Sequence, residues 1–232
     1  MEVPSYLVNE HFDDRYFDVV NALDEARQIH FINNNLIGRI KKAIDSGKHL
    51  VIGETGFGAG RTVVALMEFI KNNNLQDVYI EYFSVELYPV TPERMETILS
   101  GFKNRVESEI AALLKAYKCI DTQVPGWHNI KINQAFGTIE LNLWIGEAME
   151  MVQALGEACD LWFLDGHDPR KNPSMWRHEL LMLIGEKTKA GGTCSTYTVA
   201  GAVRRSLAEA GFTINKLPGY GGKKFVLQGI KN

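Results

Sequence analysis

Between Leu50 and Lys71 the chain reads as a short apolar run, an acid, three glycines at alternate positions and then an amphipathic stretch. The run is Leu50-Val51-Ile52, the loop is Glu54-Thr55-Gly56-Phe57-Gly58-Ala59-Gly60, and the helical stretch opens at Arg61. A glycine loop between a strand and a helix lets a ligand approach the backbone, and glycine tolerates the positive φ such a turn demands. The spacing is E-x-G-x-G-x-G and not the G-x-G-x-x-G of dinucleotide folds. An acid at the strand end repels a pyrophosphate and suits a cationic ligand. S-adenosylmethionine, with its ammonium and sulfonium, fits better than NAD or ATP. The competing reading is a plain tight turn.

Strand and helix signals alternate over most of the remaining length. Val78 to Val85 is strand-like. Thr91-Pro92-Glu93 opens a helix with Thr91 as N-cap. Ser108 to Tyr117 is helical, Ile139 to Ile145 extended, Glu147 to Leu155 helical, and Leu161 to Leu164 a buried-type strand. A helix is expected from Pro173 to about Lys187, then a turn at Gly191-Gly192 into a strand, Thr193 to Thr198. Ala202 to Ala210 is helical, with Gly211 as its C-cap. Two last strands, near 213–217 and 225–228, flank Pro218-Gly219-Tyr220-Gly221-Gly222. The pattern predicts an α/β, Rossmann-like, mostly parallel doubly wound sheet. The closing strands have no room for a crossover helix and should pair antiparallel. Residues 1–48 do not fit the repeat and are read as an N-terminal extension packing on a core of 49–232.

Composition narrows the function. The chain is 45% hydrophobic and 23% charged, which excludes disorder and collagen. No apolar run nears the ~18–20 residues that span a bilayer. Met1-Glu2-Val3-Pro4 lacks a basic-then-apolar leader, so a cytoplasmic protein with no membrane partner is expected. Cys119, Cys159 and Cys194 lie far apart, so neither a disulfide framework nor a thiolate zinc site is indicated. The formal charge of −3 hides an asymmetry: residues 1–162 carry 14 basic and 23 acidic side chains, residues 163–232 carry 11 and 5. Arg204-Arg205, Lys216, Lys223 and Lys224 read as phosphate contacts or, equally, as a solvated face.

Further candidates cluster at strand ends. Glu86 closes the second strand, where an acid can grip a ribose diol; a solvated charge is the alternative. Glu147 follows the third extended segment, as an adenine-facing residue or a helix N-terminal acid. Asp165 ends the fourth strand inside Phe163-Leu164-Asp165-Gly166-His167-Asp168-Pro169, where a carboxylate could accept a proton from an amine or position it. A turn aspartate is the alternative. His167 and Asp168 read as a second acid–base pair or a surface pair. A metal site from Asp165, His167 and Asp168 lacks a fourth ligand, and none is expected. The four tryptophans are read as core. No G-x-S-x-G elbow or Walker loop is present.

Together these motifs resemble the methyltransferase that completes the 5-methylaminomethyl group on the wobble uridine of bacterial tRNAs, a unit often fused to a flavin-dependent oxidase. Phe12-Asp13-Asp14-Arg15-Tyr16-Phe17 and Ala22-Leu23-Asp24-Glu25 resemble its opening, and Phe31 to Asn35 its F-x-x-x-N. Glu54 to Gly60 matches its E-T-G-F-G-x-G. Phe163-Leu164-Asp165-Gly166, Pro169, Lys171-Asn172-Pro173 and Met175-Trp176 resemble its F-L-D-G-F-x-P-x-K-N-P-x-M-W, and Gly191 to Gly221 its closing pattern. The resemblance covers nearly the whole chain. It implies a class I S-adenosylmethionine-dependent fold in which Asn35, Glu54, Gly56, Gly58, Glu86 and Glu147 hold the cofactor. It implies Asp165 as the catalytic acid–base or positioning residue and Tyr16 beside the nucleotide pocket. His167 stands where Phe is usual, and Glu147 where Asp is usual. His167, Arg204 and Lys224 complete the expected contacts to a tRNA anticodon loop. No flavin motif follows, so methylation alone is expected, with another enzyme supplying the aminomethyl precursor. A methyltransferase for a small-molecule amine, and a non-catalytic cofactor-binding regulator, are the competing readings.

Overall fold

The computed structural model describes residues 4–17 and 20–232. Residues 1–3 and 18–19 of the expected extension lie outside the described residues. A two-stranded antiparallel ribbon, β1 (Val8–Asn9) and β2 (Asp14–Arg15), leads to α1 (Ala22–Ala26). That helix continues directly into a π-helical turn, Arg27–Ile32, followed by α2 (Leu36–Asp45). Leu7, Phe17, Ala22, Leu23, Phe31 and Leu36 from this region share one apolar cluster with β3 (Leu50–Glu54) and α3 (Arg61–Asn72).

The chain then forms β4 (Val78–Glu86), α4 (Pro92–Leu99), α5 (Lys103–Tyr117), β5 (Gly126–Gln134), β6 (Gly137–Ile145), α6 (Ala148–Ala154) and β7 (Cys159–Leu164). After it come α7 (His178–Glu186), β8 (Thr188–Thr196), α8 (Gly201–Glu209), β9 (Phe212–Pro218) and β10 (Phe225–Lys231). Among the described residues, eight strands make one sheet in the order β5-β6-β4-β3-β7-β8-β10-β9. The inner five, β6, β4, β3, β7 and β8, run parallel. Every residue of β3 is buried, as expected of a strand covered on both faces. One apolar cluster fills the face beneath α2, α3 and α5, and a second the face beneath α6, α7 and α8. No helix among the described residues is long and apolar enough to cross a membrane.

This is the α/β, mostly parallel doubly wound sheet expected from sequence. The closing pair is antiparallel, with β10 inserted between β8 and β9. Three expectations are corrected. The far edge carries an unforeseen antiparallel strand, β5, which alternates exposed and buried residues from Asn129 to Asn133 and buries one face through Ile130 and Ile132. The helix expected from Pro173 is a single turn, Pro173–Trp176, separated from α7 by extended Arg177 (ψ 148°). Finally, β8 begins at Thr188, because the register jump between Cys159 and Leu161 absorbs Gly191 and Gly192 into the strand.

Because the five inner strands are parallel, their carboxyl ends share one edge. Glu54, Glu86, Gly146, Asp165 and Tyr197 all follow or end those strands there. Phe163 anchors this edge: fully buried in β7, its ring lies 5.1 Å from that of His30 and 5.6 Å from that of Phe31. Phe163→Ala should therefore cost about 3–5 kcal/mol of stability by urea denaturation and loosen the π-helical turn together with the strand.

Candidate active site

The glycine loop lines a cleft at the carboxyl ends of the strands, about 810 Å³ counting its open end. Gly56 adopts φ +139°, and a Cβ there would press on the Asp165 carbonyl oxygen at 3.2 Å. The two loops that end β3 and β7 are thus in backbone contact. Gly58 donates its N–H to Glu86 Oε2 (2.8 Å), and Tyr88 donates to Oε1 (2.9 Å). Burial raises the pKa of Glu86, and these backbone donors partly offset the rise.

Glu54 lies beneath the loop and is 1% exposed. Ser84 Oγ donates to its Oε2 at 2.6 Å, while Oε1 has no hydrogen-bond partner. Burial pushes its carboxyl up to about 7, against the Ser84 bond and helped by the charge of Asp165. An orphaned carboxylate oxygen in a dry site is costly unless a cation arrives nearby.

Asp165 behaves in the opposite way. Arg61 Nη2 contacts its Oδ2 at 2.5 Å, His30 Nε2 lies 3.7 Å from the same oxygen, and Gly166 N–H donates to Oδ1 at 2.8 Å. Burial alone would raise its pKa, but Arg61, His30 and Gly166 outweigh it and hold the carboxyl well below the ordinary range. A carboxylate this acidic is a weak proton acceptor, so between the two expectations for Asp165 the positioning one fits the geometry. Arg61 also donates to the Ala22 carbonyl (3.2 Å) and approaches Glu25 at 3.9 Å.

Asp165 lines two cavities. The cleft is bounded by Tyr16, Gly56, Gly58, Glu86, Glu147, Asp165 and His167, among others. A second, more open cavity of about 1170 Å³ is bounded by Asp14, Glu25, His30, Arg61, Asp165, Tyr197 and Lys223, among others. Tyr16 and Arg61 border both. The Tyr16 phenol is pushed up to about 12, first by burial and then by Glu86. Glu147 is the N-cap residue of α6.

Several expected residues stand elsewhere. Asn35 is exposed, in a left-handed conformation at the start of α2. Its neighbour Asn34 is buried, donating to the His30 carbonyl (2.8 Å) and Ser195 Oγ (2.7 Å). Arg204 lies on the solvent side of α8, because Val203 and Leu207 turn inward. Lys224 is exposed over the Phe225 ring, 5.4 Å away, and the lysine that reaches a cavity is Lys223, paired with Glu25. His167 pairs with Asp14 at 3.4 Å and not with Asp168, whose partner is Arg170. Burial depresses the His167 pKa against Asp14, and Arg170 holds Asp168 down to about 2. Trp162 and Trp176 are buried; Trp127 and Trp144 pack partly buried against the same cluster. Reading by motif missed Arg61, His30 and Ser195. Only Arg61 carried a local signal, as the first helical residue after the glycine loop.

A family described as S-adenosyl-L-methionine-dependent methyltransferase matches residues 106–232, more than half of the sequence. The chain belongs to that family. The methyltransferase is 37% identical over 218 residues to a tRNA 5-methylaminomethyl-2-thiouridine biosynthesis bifunctional protein, MnmC, of Pseudomonas fluorescens, covering 94% of this chain and 32% of that protein. It is 36% identical to the MnmC of Marinomonas over 97% of this chain and 32% of that one. It thus spans about a third of these curated relatives. A crystal structure of MnmC2 from Aquifex aeolicus superposes with a TM-score of 0.68 at 21% identity, over 96% of this chain and 65% of that one, a likeness of fold.

The cleft suits this methyltransferase's cationic cofactor. Three carboxylates, Glu86, Glu147 and Asp165, line it against one arginine, whereas Glu54, expected to hold the cofactor, is buried and does not itself border the cleft. Because Glu54 is raised from an unfolded value near 4.5 to about 7, it favours the fold below pH ~4.5, and that contribution is lost as pH rises through 7. Glu54→Gln should therefore be more stable than wild type at pH 8, by about 3 kcal/mol, with the gap closing toward pH 5 in urea titrations. The same variant should bind S-adenosylmethionine more weakly by calorimetry. Gly56→Ala should weaken cofactor binding with little change in circular dichroism.

Proposed function

We propose that the chain methylates the exocyclic amine of 5-aminomethyl(-2-thio)uridine at the tRNA wobble position, giving 5-methylaminomethyl(-2-thio)uridine. The observation that carries the reading is Asp165 as a common wall of two cavities, one acidic and fitted to the cofactor, the other open beside Lys223. The names of the relatives, proteins of tRNA 5-methylaminomethyl-2-thiouridine biosynthesis, point to the same substrate.

S-adenosylmethionine, when bound, supplies a methyl group on a sulfonium, a leaving group that needs no acid. Gly56 and Gly58 give it close backbone approach, Glu86 is placed for the ribose, Glu147 for the adenine end, and Glu54 adds negative charge below. The substrate amine attacks in its neutral form, and proximity supplies most of the rate. Asp165, held ionised by Arg61, orients the amine and favours the cationic nitrogen as the N–C bond forms. The proton then passes to water through the second cavity. Tyr16 and His167 flank the base, which single-stranded anticodon loops present unstacked. Lys223 takes the phosphate-contact role expected of Lys224, with Arg204 further out. In this reading the protein works in the cytoplasm on a precursor made by another enzyme.

One observation favours a small-amine substrate instead: Asp14, Glu25 and Asp168 give the second cavity an acidic rim that an RNA phosphate would avoid. Methyl transfer to tRNA from cells lacking the last methylation, compared with the free aminomethyl nucleoside and read by mass spectrometry, separates the two. Methylated wobble uridine in tRNA, reduced about 100-fold or more in Asp165→Asn, is the expected result. Product from the nucleoside alone would establish the small-amine enzyme.

A further inference from the structure

Beside Asp165, on the side of the second cavity, runs a buried polar chain that the chemistry above does not use. His30, in the π-helical turn, is 2% exposed and borders the second cavity but not the cofactor cleft. Its Nδ1 lies 2.9 Å from Ser195 Oγ, and its Nε2 lies 3.7 Å from Asp165 Oδ2. Asn34 closes the chain with its amide nitrogen 2.8 Å from the His30 carbonyl and 2.7 Å from Ser195 Oγ.

The proton positions follow from this arrangement. A carbonyl oxygen only accepts, so the Asn34 atom facing the His30 carbonyl is the NH₂ group, and the amide cannot be flipped. The same NH₂ donates to Ser195 Oγ, leaving the serine's own hydroxyl proton for His30 Nδ1. Nδ1 is then an acceptor, and the ring proton sits on Nε2, facing the carboxylate. The opposite tautomer would aim a lone pair at an anion and leave the Ser195 proton without its partner.

We propose that His30 is a positioning residue for methyl transfer: fixed by Asn34 and Ser195 with Nε2–H toward Asp165, it joins Arg61 at Oδ2 and leaves Oδ1 to receive the substrate amine. This rests on the amine-methylation reading. One donor on Oδ2 still permits the carboxylate to rotate and exchange its oxygens. Two donors on Oδ2, with Gly166 N–H on Oδ1, select one orientation, and Oδ1 keeps an open lone pair. The 3.7 Å gap exceeds a hydrogen bond, and such contacts commonly tighten when substrate is bound.

The test has two arms on the full chain. Nitrogen-15 NMR of the labelled His30 ring should show Nε2 protonated and Nδ1 as an acceptor, with Ser195→Ala disturbing that assignment. A proton resident on Nδ1 alone would overturn the proposal. In methyl-transfer kinetics, His30→Leu should lower kcat roughly 10- to 100-fold with the KM for S-adenosylmethionine little changed. His30→Gln, which restores an N–H donor, should recover most of the loss. Equal losses in the two variants, with calorimetric cofactor binding intact, would reduce His30 to a packing role. Wild type inactive on tRNA but active on the free nucleoside would overturn the substrate reading alone, and the same variants would then be compared on the nucleoside.

Discussion

The contact between Arg61 and Asp165 ties together the parts of this protein that must be in register. Arg61 is the first residue of the helix that leaves the glycine loop, and Asp165 follows the neighbouring strand. The same guanidinium holds the Ala22 carbonyl and approaches Glu25, so the N-terminal segment, the glycine loop and the end of β7 meet at one cation. The Arg61 side chain is 11% exposed and that of Asp165 18%. Removing either partner would strand the other charge in a poorly hydrated site, at a cost that buried ion pairs show to be several kcal/mol.

Two carboxyl groups in this region are driven in opposite directions by their surroundings. Glu54 accepts from the Ser84 hydroxyl, and burial raises it to about 7. Asp165 has a guanidinium, a facing imidazole and a backbone N–H, and is held down. Separated pKa values of this kind divide labour within a site. Asp165 stays charged across the physiological range, as the orienting role proposed for it requires. Glu54, raised to about 7, changes its charge with its environment.

Much of this was legible in sequence, for local reasons. The glycine loop, the acids at the strand ends and the closing antiparallel pair are set by residues adjacent in the chain. Glu86 and Glu147 reached the cleft because parallel strands bring their carboxyl ends to one edge. What escaped is non-local or one-sided. β5 buries only one face, through Ile130 and Ile132, and its alternation from Asn129 to Asn133 is the short signal of a half-buried edge strand. Asn34 and Asn35 differ by one position, and only packing against Ser195 reveals which is buried. Arg204 and Lys224 stand out in the sequence only by their charge, which carries no information about facing. His30 and Ser195 meet across 165 positions of sequence, beyond any motif.

The central claim is that Asp165 acts as a fixed anion and not as a base. Its carboxyl pKa, followed by carbon-13 NMR of aspartate-labelled protein with Asp165→Asn as the assignment control, tests this most directly. The account requires a carboxyl signal that stays in its ionised position from pH 8 down to pH 4. A titration midpoint at or above the ordinary aspartate value of about 4 would contradict it and return Asp165 to the role of proton acceptor.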